Sequence, residues 1–187
     1  MALFSSVDLS CVALALSVLG AAVAIPSWVE AKEPTALVRT GEGVRTKSVA
    51  FLNVKVYSIA HEMRELPPTK SKRAIIDSDV DKRFNVSMMR DVDAEKIRNA
   101  LKDAYAINGY SDSAKIGVFL SVLDRDLKEK SGFTITYDAE TKRTVLSVHG
   151  GRAAAVEGVD FMKATWSIWF GKIDQPELSD ALMRNMR

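Results

Sequence analysis

Apolar and polar positions divide the chain into blocks of changing period. From Cys11 to Ala24 the residues CVALALSVLGAAVA pass without a charge. That run falls short of the roughly 20 residues a membrane span needs and suits the h-region of a signal peptide. Two small-residue cleavage patterns follow, Ala22-Val23-Ala24 and Val29-Glu30-Ala31, and polar Lys32-Glu33-Pro34 favours the second. Thr35 to Met63 is rich in Val, Phe, Leu and Ile with few breakers and predicts strands. Arg73–Asp77 and Arg83–Met89 predict two more, the latter alternating Phe84, Val86 and Met88 on one face.

The period then becomes helical. Asp93 is the expected N-cap of a helix whose stripe is Ile97, Ala100, Leu101 and Ala104, closed by Asn108-Gly109. A second helix is expected from about Ser113 to Lys130, with Ile116, Phe119, Leu120, Leu123 and Leu127 inward. Gly132–Tyr137 and Arg143–Val148 alternate around the polar turn AETK and predict a hairpin. Gly158 to Phe170 predicts an apolar helix ended by Gly171, and Pro176 to Met183 a short amphipathic one. Strands grouped apart from helices imply an α+β fold with a mainly antiparallel sheet.

The expected organisation is a signal peptide over 1–31 and one domain over 32–187, periplasmic or secreted, with no stable membrane insertion after cleavage. The segment MALFSSVDLS departs from the signal-peptide pattern, since it has no Lys or Arg and carries Asp8. A buried N-terminal helix or an uncleaved anchor is the alternative. Cys11 is the only cysteine. Cleavage after Ala31 therefore leaves no thiol for disulfides, metal sites or nucleophilic catalysis. Residues 1–31 hold two acids and no bases, so 26 basic residues face 22 of the 24 acids in the remainder, a net charge of +4. Those charges are interspersed, which gives no footprint for nucleic acid.

Several motifs fail on their own chemistry. Asp77-x-Asp79-x-Asp81 opens like a calcium loop, but Lys82 and Met88 stand where Gly and Glu are required. A solvated acidic turn is expected instead. Gly41-x-Gly43 lacks a third glycine and precedes a strand, which argues against a dinucleotide. His61 and His149 have no metal-ligand spacing and read as ordinary surface or sheet residues. No cofactor and no metal is expected. Arg45, among apolar strand residues, needs an anion or must reach solvent; on composition alone it reads as an outward-pointing edge-strand Arg.

Residues 41–58 resemble the signature of the chalcone isomerase-like fold, G-x-G-x-R-x-K followed by V-K-V-Y. Here these are Gly41, Gly43, Arg45 and Lys47, then Val54-Lys55-Val56-Tyr57. Gly158, Phe161, Ala164 and Ile168-Trp169-Phe170-Gly171, before a terminal amphipathic helix, are similar to the family's closing block, so the resemblance covers roughly 36–184. It implies an open-faced β-sandwich, a large antiparallel sheet with helices layered on one face and a ligand between them.

The family divides into ring-closing isomerases and non-catalytic fatty-acid binders. The enzymes carry a Thr twelve residues after the Arg, where this chain has Tyr57, as the binders do. They pair a Tyr with an Asn seven residues on, and none of Tyr57, Tyr105, Tyr110 and Tyr137 has one. They place a Thr three residues before the closing Gly, where Ile168 stands. The expected function is therefore non-catalytic binding of a fatty acid or similar small apolar carboxylate by Arg45 and Tyr57. An isomerase with another hydroxyl set, or an interaction domain without ligand, are the alternatives. Twelve residues of straight strand would span about 40 Å, so the chain must bend between Arg45 and Tyr57, and Asn53 is the expected bend.

Overall fold

The computed structural model describes residues 36–49 and 52–187. The expected signal peptide and its boundary lie outside them. Six strands form one antiparallel sheet in chain order: β1 (Val38–Val49), β2 (Leu52–Met63), β3 (Lys82–Met88), β4 (Gly132–Asp138), β5 (Arg143–Val148) and β6 (Ala153–Glu157). The helices are α1 (Lys72–Asp77), α2 (Ala94–Ile107), α3 (Ser113–Leu120), α4 (Val159–Phe170) and α5 (Pro176–Ala181). This is the open-faced α+β architecture expected.

Alternation decides which sheet face is covered. Ile59, His61 and Met63 of β2, Phe84, Val86 and Met88 of β3, and Phe133, Ile135 and Tyr137 of β4 are buried on the helix side. The intervening row is polar: Glu62 Oε1 takes Arg39 Nη2 at 3.1 Å, and Oε2 takes Arg83 and Asn85. Helix α4 buries eight of its twelve residues because it lies between the sheet and its neighbours α1, α2 and α5. Phe84 packs against Trp166, Trp169 and Phe170 at centroid distances of 5.1, 4.5 and 5.9 Å, tilted to the two indoles and stacked with Phe170.

The edge strand β1 is shaped for α5. A Cβ on Gly41 would stand 2.2 Å from the Ala181 carbonyl oxygen, and one on Gly43 would stand 2.6 Å from Leu178 Cδ1. The two glycines let α5 approach the strand backbone closely.

Three local expectations are corrected. Residues 73–77 form part of a helix, not a strand. Ser71 Oγ caps its start, accepting from Ala74 N at 3.1 Å, and buried Lys82 donates Nζ to the carbonyls of Ile75 and Ser78 at its end. The second long helix stops at Leu120. Val92 and Leu127 exchange backbone hydrogen bonds of 2.9 and 3.0 Å, drawing the chain out of helix while Leu123 and Leu127 stay buried. Asn53 is not the bend: it pairs with Ser48 inside the β1–β2 ladder, so the chain reverses ahead of it. The alanine-rich strand β6 is an addition, held by the β5 ladder despite weak strand propensity.

Candidate ligand site

Antiparallel pairing of β1 with β2 makes Arg45 and Tyr57 direct cross-strand partners. Twelve residues of sequence separation thus become one strand spacing. The register shifts immediately afterwards, Thr46 pairing with Lys55, so Val56 is the extra residue of a β-bulge. The bulge lets both Val56 and Tyr57 line a cavity of about 780 Å³, within the range of small-molecule sites. Its apolar wall comes from Val54, Val56, Met88 and Phe133 of the sheet, Ile97, Leu101, Ala104 and Ile107 of α2, and Ile168 and Trp169 of α4. The α2 stripe expected from the sequence faces this space; Ala100 also lines it although exposed.

Arg45 does not point freely outward as an edge-strand residue would. Its side chain is 20% exposed and pairs with Asp174 of the α4–α5 loop, Nη2 to Oδ2 at 2.9 Å and Nη1 to Oδ1 at 2.6 Å. Nη1 is buried and makes no well-directed hydrogen bond. Burial works against the charge, but the hydrogen bond to Asp174 and nearby negative potential hold the guanidinium pKa above its ordinary value. The same hydrogen bond keeps the Asp174 carboxyl below the usual carboxylate range. Gln175 fixes the loop beside them: its Nε2 donates to Val44 O at 3.1 Å and its Oε1 accepts from Thr46 N at 2.9 Å.

Tyr57 accepts the Trp169 indole N–H at 3.1 Å. Among the described residues nothing takes the phenolic proton, so Tyr57 can still donate. Burial pushes the phenol above its ordinary pKa, against the opposing pull of Trp169 and Arg45, so it stays neutral. The Arg45 cation and the Tyr57 phenolic donor therefore meet in a cavity with an apolar wall, whose lining also includes Lys47, Arg90, Lys96 and Lys172. That set can grip an anion or a carbonyl oxygen.

A protein-family model described as chalcone isomerase-like matches residues 18–183. The chain belongs to the chalcone isomerase-like family. Among solved structures, an Arabidopsis thaliana fatty-acid binding protein is similar, with a TM-score of 0.64 and 15% identity over 80% of this chain and 87% of that one. At that identity the likeness carries the fold. No curated protein matches the chain.

The two glycines that carried the resemblance to the chalcone isomerase-like family prove to be contacts of α5. Sequence reasoning missed Asp174 and Gln175. They sit in a short connection, Lys172-Ile173-Asp174-Gln175, with no pattern to mark them. Trp169 was legible as part of the closing block, though not as the donor to Tyr57. The acids of the 77–81 turn face cations and donors, Lys163 for Asp77, Lys142 and Tyr137 for Asp79, and Arg64 for Asp81. His61 is a sheet residue, but wholly buried; His149 is exposed.

Proposed function

We propose that the protein is an exported, non-catalytic binding protein for a fatty acid or similar small apolar carboxylate, held at the headgroup by Arg45 and Tyr57. One juxtaposition carries the reading: the two residues are cross-strand partners and both line the same apolar cavity. Arg can take a carboxylate bidentately, and Tyr57 has a proton left to give it. Burying the acyl chain contributes about 0.8 kcal/mol per methylene, which the valines, Phe133 and the α2 stripe can receive. The Arabidopsis thaliana neighbour is a fatty-acid binding protein, which supports the same ligand class.

Calorimetric titration of delipidated protein with hexadecanoate tests this. Arg45→Ala is expected to weaken binding most, by about 1.5–3 kcal/mol, and Arg45→Lys to restore part, lacking the planar fork. Tyr57→Phe keeps the ring and should lose about 0.5–1.5 kcal/mol. Wild-type affinity in Arg45→Ala would overturn the assignment. Export rests on the composition of residues 11–24, and N-terminal sequencing of protein from its own host is expected to begin at Lys32 or Ile25. Intact Met1 in the soluble cytoplasmic fraction would sink that part.

A further inference from the structure

The cation assigned above to the ligand already has an anion. Asp174 lies across Arg45 with both carboxylate oxygens against the guanidinium, at 2.9 and 2.6 Å. Both residues line the cavity. We propose that Asp174 is a built-in competitor for the ligand's carboxylate, occupying Arg45 in the empty protein and giving it up when an acyl carboxylate binds. The proposal rests on the carboxylate reading of the site and adds the residue that sets its affinity.

Three observations support an exchange instead of a permanent pair. Asp174 is 74% exposed while Arg45 is only 20% exposed, so the acid can return to water at little desolvation cost. The Arg cannot follow it, and a half-buried guanidinium left alone would be costly. The empty site needs an anion, and Asp174 supplies one. Gln175 stays hydrogen-bonded to Val44 and Thr46, so releasing Arg45 needs only a side-chain rotation at Asp174. Buried Nη1, close to Asp174 but making no well-directed hydrogen bond, leaves a donor that a better-placed carboxylate could satisfy.

The consequence is a selection rule. One carboxylate replaces another at Arg45, so the loss of the Asp174 pair offsets part of the headgroup's gain and burial of the acyl chain must supply the rest. Short carboxylates should fail to displace Asp174, and long ones should succeed. A neutral headgroup gains nothing from the exchange.

The test titrates wild type, Asp174→Asn, Arg45→Ala and the double variant with hexadecanoate, octanoate and hexadecan-1-ol. Asn keeps the size of Asp and removes its charge. Asp174→Asn is expected to tighten both carboxylates by the same factor, about two- to fivefold for a partly exposed ion pair. The alcohol should change less than twofold. In the Arg45→Ala background the gain should vanish, because nothing is left to compete for. Unchanged or weaker hexadecanoate binding by Asp174→Asn, with wild-type binding still lost in Arg45→Ala, would overturn the competition and leave the carboxylate site standing. Hexadecanoate binding to none of the four proteins would overturn both.

Discussion

The imidazole of His61 accepts the Trp166 indole N–H through Nε2 at 2.8 Å, so its one proton belongs on Nδ1, 2.7 Å from Thr40 Oγ1. Thr40 in turn donates to the Leu182 carbonyl at 2.7 Å. The relay is complete with a neutral ring and has no acceptor for a second proton. Burial first, and the Lys82 charge second, hold the imidazole pKa well below its ordinary value of 6.5. Below pH 6.5 the unfolded chain takes up a proton that the folded one refuses. Stability therefore falls as pH drops from about 6.5, by up to about 1.4 kcal/mol per pH unit. Glu62 and the acids of the 77–79 turn have lowered values, so their stabilisation is lost only near and below the carboxylate range. Burial also pulls the Lys82 ammonium down to about 7, so urea denaturation between pH 6 and 5, below that value, isolates the imidazole. His61→Gln is expected to be less stable at pH 7 yet flatter with pH, and parallel slopes would show that His61 does not carry the dependence.

Strand β1 and helix α5 hold the candidate site together as elements. The strand carries Arg45, and the connection into the helix carries Asp174 and Gln175. The distance between them is set by the absence of a side chain at Gly41. Gly41→Ala places a methyl against the backbone of Ala181 and Leu182, which no rotamer change can relieve. A loss of about 2–3 kcal/mol in chemical denaturation is expected, with weaker ligand binding as α5 is pushed off the strand. Gly117→Ala is the control: its Cβ meets nothing within 4 Å and it lies within α3, so it should gain up to about 1 kcal/mol. Equal effects at the two positions would contradict the packing account.

The cavity is a property of the whole molecule, since sheet, α2 and α4 each supply one wall. Ala104 is half-buried on the α2 wall and reaches the space with a single methyl. Ala104→Trp should fill part of the cavity and lower hexadecanoate affinity at least tenfold. Folding stability should stay within about 1 kcal/mol, because the new ring enters space that is already there. Octanoate should suffer less than hexadecanoate. A variant that binds both as tightly as wild type would place the acyl chain elsewhere.

The chain's periodicity determined much of this architecture. Alternation in 83–89, 132–137 and 143–148 and the helical stripes of 94–107 and 159–170 agree with strands and helices that bury those same faces. Arg45 stood out as a cation among apolar strand residues, whereas Tyr57 and its pairing with Arg45 came from the resemblance to the chalcone isomerase-like family. Short segments escaped the sequence because their conformation is decided by partners far along the chain. Residues 72–77 are helical because Lys82 caps their carbonyls, and 121–131 leave helix because Leu127 pairs with Val92. Periodicity also cannot say which strands pair or in what register. Only the β1–β2 ladder and its bulge decided that Arg45 stands opposite Tyr57, and only the packing of α5 on two glycines brought Asp174 to the guanidinium. A local pattern records which face of an element is buried; contacts between elements exist only once the chain has closed on itself.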